Sequence, residues 1–249
     1  MRPTKVLGPL HRVRAMIVSN VWIVDGGPGD RFVIDTGHRL ERAALLAGLR
    51  STGFSPRDLT GVLLTHYHSD HAGNAAFLRS EFGIEIMAHE TDAAVLEGRS
   101  PPTVLRATTL DPFVRLFCAI ENRTSTRVTV DRALRDGESI GSLEVHHAPG
   151  HTLGSALFRH SSTRSLFSGD ALLAAVPPLT LAQRMCLPYR DFSTSYEQAL
   201  RSLREFCDRE QRFDNLLAGH GDPILGTARD QALRLLDESS TATAKRRSE

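Results

Sequence analysis

The sequence predicts a mixed α/β protein, and three observations carry that reading. Short apolar runs recur along the chain, among them residues 62–64, 143–145, 165–167 and 215–218, each of a length that suits a buried strand. Segments with helical spacing alternate with them, at 40–49, 72–82 and 227–238. Several of the strand-like runs are followed within a few residues by histidine or aspartate.

Composition bounds the rest. The 249 residues suit one large domain or two small ones, with ample core. Hydrophobic residues make up 41% and charged residues 24%, as in an ordinary globular protein. A net charge of +1 gives no electrostatic case for nucleic acid as a partner. Residues 1–10 lack the apolar centre of a signal peptide, and no run approaches the roughly 18 apolar residues of a membrane span. Cys118, Cys186 and Cys207 are odd in number and widely spaced, which suits reduced thiols. The expectation is a cytoplasmic protein that acts on a small molecule, away from membranes.

Taken in order, residues 15–24 and 32–34 read as a hairpin across Gly26-Gly27-Pro28-Gly29. A strand follows these glycines, so they do not cradle a phosphate. Asp35 ends the second strand. A helix over 40–49 stops near Gly53, and strand 62–64 leads to a helix over 72–82 closed by Gly83. Strand 84–88 is followed by a short helix starting at His89-Glu90. Residues 99–126 form a partly helical insertion in a connection of about 40 residues, long for a compact domain. It reads as a lid or as a packing face, with a homodimer contact as one use of that face. Strands are expected at 127–130 and 143–147, a hairpin over 155–167, and an apolar loop over 171–178 broken by Pro177 and Pro178. Thr194-x-x-Glu197 predicts a capping box opening a helix that runs to about Glu210. The domain then spans 1–238, and the small, polar and basic tail 239–249 is expected to be disordered.

The densest chemistry is Thr65-His66-Tyr67-His68-Ser69-Asp70-His71, directly after an apolar strand. On extended backbone His66 and His68 point the same way and can hold one ion. Where the chain turns into a helix, Asp70 and His71 can face a second point. Imidazole and carboxylate together suit zinc, iron or manganese. His151, Asp170 and His220 each follow a further strand-like run. His11, His38, His89, His146, His147 and His160 read as packing or surface histidines.

This set of motifs resembles the metallo-β-lactamase superfamily, in its branch with two metals and a His-x-His-x-Asp-His signature, over about residues 15–225. The resemblance implies an αββα sandwich: two packed mixed β-sheets with helices on the outer faces. It also implies two divalent ions, Zn2+ with Mn2+ or Fe2+ as alternatives. His66, His68 and His151 would hold the first, and Asp70, His71 and His220 the second. Asp170 would bridge them. Asp35 matches the aspartate that lies beneath the site in this superfamily and can orient a ligand histidine, though its position also suits an ordinary turn.

A two-metal site implies a hydrolase that needs no serine or cysteine nucleophile, and Gly-x-Ser-x-Gly is absent. The lactamases lack the bridging aspartate, whereas hydrolases of thioesters, lactones and phosphodiesters carry it. Only 29 residues, 221–249, follow His220, so the glutathione-gripping domain of glyoxalase II is not expected. Acyl-homoserine lactonases place a tyrosine where this chain has Leu173. The expectation is therefore hydrolysis of a thioester, ester or lactone with an apolar acyl group, with Asp70 catalytic. Leu173, Val176, Tyr189, Phe113 and Phe117 are the candidate substrate contacts. Alternatives are a mononuclear iron persulfide dioxygenase, β-lactamase-like amide hydrolysis, or a binding module without catalysis.

Overall fold

The computed structural model describes residues 4–13, 16–124, 126–175, 183–209 and 212–248, with 242–248 described as backbone. Two hairpin strands, β1 (Thr4–Leu7) and β2 (Leu10–Arg12), open the chain and precede β3 (Trp22–Asp25) and β4 (Arg31–Ile34). Helix α1 (Arg42–Ser51), β5 (Gly61–Leu64), α2 (Ser69–Ala72), α3 (Ala75–Phe82), β6 (Glu85–His89) and α4 (Glu90–Leu96) follow. Helix α5 (Pro112–Glu121) lies in the insertion, before β7 (Arg132–Leu134). The second half runs β8 (Ser139–Ile140), β9 (Leu143–His147), β10 (Ala156–His160), β11 (Ser165–Gly169), β12 (Leu173–Ala175) and β13 (Gln183–Cys186). Helix α6 (Tyr196–Asp208), β14 (Asn215–Ala218) and α7 (Ala228–Ser248) complete it.

Strands β1 to β7 form one sheet in sequence order, antiparallel up to β4 and parallel from β4 to β7. The second sheet has the order β14-β11-β10-β9-β8, with β11 and β14 parallel. A small hairpin pairs β12 with β13.

Period-2 alternation assigns each side chain to a layer. Trp22, Val24, Phe32, Ile34 and Leu63 face Val145, Phe158, Phe167 and Leu217 of the other sheet, making the central core. Their neighbours Ile23, Val33, Val62 and Leu64 point outward onto Leu45, Leu49 and Leu78 of α1 and α3. On the far side Leu157, Leu166 and Leu216 meet Leu203, Phe206, Ala232 and Leu236 of α6 and α7. Strands buried on both faces explain the unbroken apolar runs of the sequence. Three cores between four layers make this the expected αββα sandwich of two packed mixed sheets.

Helix ends follow the local chemistry. Gly83 takes φ 69°, and its amide bonds the Arg79 carbonyl, closing α3 where a side chain would be strained. Helix α6 buries Ala199, Leu203, Phe206 and Cys207, one stripe of the helix.

Several local expectations are corrected. Residues 16–21 form a loop, not the first part of a strand, because the Ile17 and Val18 amides bond the Glu41 carboxylate instead of a strand. No strand forms at 127–130: the Val128 amide bonds Leu96 on α4, and pairing with β6 starts only at Arg132. The single helix expected over 72–82 is two, α2 and α3, split at Gly73. There a Cβ would lie 2.6 Å from the Arg39 amide nitrogen. Ser195, not Thr194, caps α6, accepting from the Gln198 amide. The expected end of the last helix at Glu238 moves to Ser248, since Ala242, Ala244, Lys245, Arg246 and Arg247 are good helix formers. The loop over 171–178 begins as β12, and residues 176–182 lie outside the described residues. Among the described residues no helix is long and apolar enough to cross a membrane.

Candidate metal centre

The ends of four strands converge at one edge of the sandwich. Strand β5 delivers His66 and His68 on extended backbone, and the turn into α2 presents Asp70 and His71. The His71 carbonyl accepts from the Thr36 amide and hydroxyl, which fixes α2 over the end of β4. From the second sheet come His151 after β9, Asp170 after β11 and His220 after β14. The parallel pairing of β11 and β14 places the last two side by side, and the Gly219 amide bonds the Gly169 carbonyl at 2.8 Å. The Ala156 amide donates to the Thr65 carbonyl at 2.8 Å, tying the sheets together beside the site.

The donors fall into linked groups. His151 Nε2 lies 3.2 Å from His66 Nε2 and 3.1 Å from His68 Nδ1, so three ring nitrogens face one point. Asp70 Oδ2 lies 3.6 Å from His71 Nε2 and 3.4 Å from His220 Nε2, marking a second. Asp170 spans both: Oδ1 is 3.3 Å from His71 Nε2, and Oδ2 is 3.3 Å from His220 Nε2 and 3.8 Å from His151 Nε2. His66, His68, His71 and His151 are buried, while the Asp70 side chain is 24% exposed and gives the site its open side.

Charge separates the two groups. Burial, then the surrounding imidazoles, push His66 well below its ordinary pKa, and burial brings His151 down to about 3. These rings stay neutral and keep a lone pair for a metal. Burial also opposes charge on His71 and His220, but the carboxylates outweigh it. Asp70, Asp170 and Asp35 raise His71 well above the ordinary value, and Asp170 and Asp70 bring His220 to about 10. Burial disfavours charge on Asp70 and Asp170 too, yet the histidines hold both carboxyls below the usual range. Without metal, protons on His71 and His220 offset this negative charge, and a cation entering the site would replace them.

The residues fit divalent metal. Three sets, His66-His68-His151, His66-His71-Asp170 and Asp70-His71-His220, each gather their ligand atoms within 4.8 Å. His71 Nε2 and Asp170 Oδ1, 3.3 Å apart, are buried with no hydrogen-bond partner beyond each other, and a cation beside them would satisfy both. Nitrogen and carboxylate oxygen without thiolate suit zinc, manganese or iron.

A second layer of contacts, mostly not legible in the sequence, orients these ligands. Asp35 does so for both groups: Oδ2 lies 2.7 Å from His71 Nδ1, and the Thr65 hydroxyl donates to the same carboxylate. Thr65 Oγ1 in turn lies 3.0 Å from His66 Nδ1. Asp92 accepts from the Tyr67 amide, the Thr152 hydroxyl and the Gly154 amide, joining the loops that carry His66, His68 and His151. Ser193 Oγ stands 3.4 Å from His151 Nδ1. Position next to a ligand was the available signal for Thr65 and Thr152; Asp92 and Ser193 had none.

The candidate substrate contacts are more dispersed. Phe113 and Phe117 lie on the exposed side of α5, whose inner residues Val114 and Cys118 pack with Leu105, Tyr189 and Phe192. Leu173 is buried in β12, and Tyr189 lies tilted against Phe192 and packs with α5. Val176 lies outside the described residues. A cleft of about 50 Å³ does open beside His220 and Gly221, walled by Met16, Ile17 and Val18 and by the polar Arg12, Ser19 and Asn20. His89 and His147 stack on each other at 3.8 Å, apart from the ligand set.

Comparison with known proteins accords with this geometry. The family profile described as the metallo-beta-lactamase superfamily matches residues 16–220. The acyl-coenzyme A thioesterase MBLAC2 of Gallus gallus is 31% identical over 222 residues, covering 81% of this chain and 72% of that protein. A hydroxyacylglutathione hydrolase of Cereibacter sphaeroides is 29% identical over 169 residues, covering 67% of this chain and 53% of that protein. The chain thus spans about half the length of that relative. A solved metallo-beta-lactamase family protein from Thermus thermophilus superposes with TM-score 0.68 at 26% identity, covering 95% of this chain and 81% of that one. The matched region contains every ligand candidate from His66 to His220, and the chain belongs to the metallo-beta-lactamase superfamily.

Proposed function

We propose that the protein is a metal-dependent hydrolase of thioesters, within a wider reach over esters and lactones, and that its substrate carries an apolar acyl group. The observation that carries the hydrolase reading is Asp170, whose carboxylate reaches His71, His151 and His220 at once. The thioester preference is supported by the thioesterase and hydroxyacylglutathione hydrolase relatives. The apolar preference is supported more narrowly, by exposed Ile17 and Val18 on one side of a cleft beside His220 whose other walls, Arg12, Ser19 and Asn20, are polar.

His66, His68 and His151 would hold one ion, and Asp70, His71 and His220 the other, with Asp170 shared. When bound, such a metal pair activates water near neutral pH and polarises a carbonyl. The chain supplies the rest. Asp35 and Thr65 hold the rings of His71 and His66 with Nε2 directed into the site. Asp70, kept ionised by His71 and His220, stands at the open side of the site, where its carboxylate is placed to relay the proton of the attacking water to the leaving group. No side chain needs to form a covalent intermediate.

The test is elemental analysis of protein purified without added metal or chelator, followed by thiol release from acyl thioesters of graded chain length. About two equivalents of zinc or manganese with thiol release is the expected result. One iron per chain with oxygen uptake on persulfides would replace the hydrolase with the dioxygenase. Lactone opening without thiol release would move the bond type.

A further inference from the structure

Helix α5 belongs to neither sheet, yet its last residue touches the metal loop. The Ser69 amide donates to Glu121 Oε1 at 3.0 Å, and the Ser69 hydroxyl donates to Oε2 at 2.6 Å. Ser69 is 7% exposed and sits between His68 and Asp70, one donor from each metal group. Its amide is the first of a short helical turn and has no partner within that turn.

The far end of this contact is anchored. Val114 and Cys118 pack against Leu105, Tyr189 and Phe192. Asn122, the next residue, exchanges two hydrogen bonds with the Leu105 backbone, at 2.8 and 2.9 Å. Glu121 therefore projects from a braced helix end, and both of its oxygens are committed to one residue.

We propose that Glu121 is a positioning residue for the metal centre: through Ser69 it fixes His68 and Asp70, and so sets the spacing of the two metal groups. The physical reason is local. Rotation about the Ser69 backbone would swing Asp70 away from His220 and His71, which it now faces at 3.4 and 3.6 Å. A carboxylate holding both the amide and the hydroxyl of Ser69 blocks that rotation, because charge-assisted bonds are strong and two of them, here partly buried, fix direction. The insertion thereby becomes part of the site's framework.

The proposal rests on the metal-centre reading, and one experiment separates the failure of each. Protein stripped of metal is titrated with zinc against a chromophoric chelator, for the wild type, Glu121→Ala, Glu121→Gln, Ser69→Ala and the double variant Ser69→Ala/Glu121→Ala. Circular dichroism and thermal unfolding accompany each titration. Glu121→Ala should weaken zinc binding by roughly 10–100-fold, the usual effect of losing a residue that orients ligands. Glu121→Gln should fall between, because its amide oxygen can still take the Ser69 amide. The double variant should bind no worse than Glu121→Ala, since the hydroxyl bond that Ser69→Ala removes is one of the two that Glu121→Ala already removes. In metal-saturated protein the loss should fall on kcat, with KM little changed. If Glu121→Ala does not fold, the near-isosteric Glu121→Gln decides. Folded variants that bind zinc within about twofold of wild type would overturn the role of Glu121, even if they melt earlier. Absence of zinc binding by the wild type would instead remove the metal centre itself.

Discussion

Asp35 Oδ2 lies 2.7 Å from His71 Nδ1, and Asp35 makes that contact from a left-handed backbone with φ 60°. Few residues other than glycine adopt this conformation, and aspartate is among those that tolerate it. It turns the carboxylate back under α2, where Oδ1 also accepts from the Thr65 amide at 2.8 Å. One buried carboxylate thus sets the ring orientation of His71 directly and of His66 through Thr65.

Asp35→Asn should therefore weaken metal binding by roughly 10–100-fold while the protein stays folded. An amide nitrogen facing His71 Nδ1 favours the tautomer with its proton on Nε2, the atom that would otherwise bind metal. Chelator competition measures the effect, and unchanged affinity would show that Asp35 is only a turn residue.

Asp70→Ala should abolish turnover and leave fewer than two metals per chain, with circular dichroism and Tm close to wild type. The side chain is partly exposed at the start of α2 and belongs to none of the apolar cores. Near-normal turnover by a folded, metal-loaded variant would exclude a catalytic role.

Gly219→Ala should be as damaging as loss of a ligand, although only a methyl group is added. A Cβ there would lie 2.4 Å from Asp170 Oδ1 and 2.6 Å from His71 Cε1. Asp170 must then shift away from the site. Metal content and thiol release should both drop, and a variant with two metals and full activity would show that the loop can give.

Burial pushes the Asp92 carboxyl up to about 7, against the pull of its three donors. The folded state thus keeps a proton that the unfolded chain releases near 3.8. This contribution to stability is complete below the unfolded value and is lost as pH rises through about 7. Against the opposite trend from His66, His89 and His151, which burial keeps neutral, thermal unfolding of metal-free protein across that window should carry this falling component. Asp92→Asn should flatten it, while costing about 1–3 kcal/mol because its amide nitrogen turns toward a donor. An equal slope in the variant would remove Asp92 as its source.

Much of this was legible in the sequence, but unevenly. Apolar runs located β5, β11 and β14 because strands buried on both faces leave few polar positions, and β9 showed by the alternation of Leu143 and Val145 with half-buried Glu144. Gly83 was legible because a positive φ demands it. Strand β7 was not, since Arg132 and Ala133 are exposed and the segment becomes a strand only by pairing with β6. Ile17 and Val18 looked like strand residues, yet their amides bond Glu41, a contact no local pattern shows. Thr194 and Ser195 both suit a cap, and the backbone direction entering α6 selects Ser195.

By itself, the sequence determined the chemical identity of the site: histidines and aspartates at the ends of core strands, where extended backbone and helix starts aim side chains in set directions. Beyond Asp35, which the family resemblance anticipated, tertiary structure alone decided what orients them. Asp35, Asp92 and Glu121 lie 36, 25 and 52 residues from the partners they hold. Hydrogen bonds of that kind carry no periodicity, so only the folded chain, with its sheets packed and its insertion docked, brings them within reach.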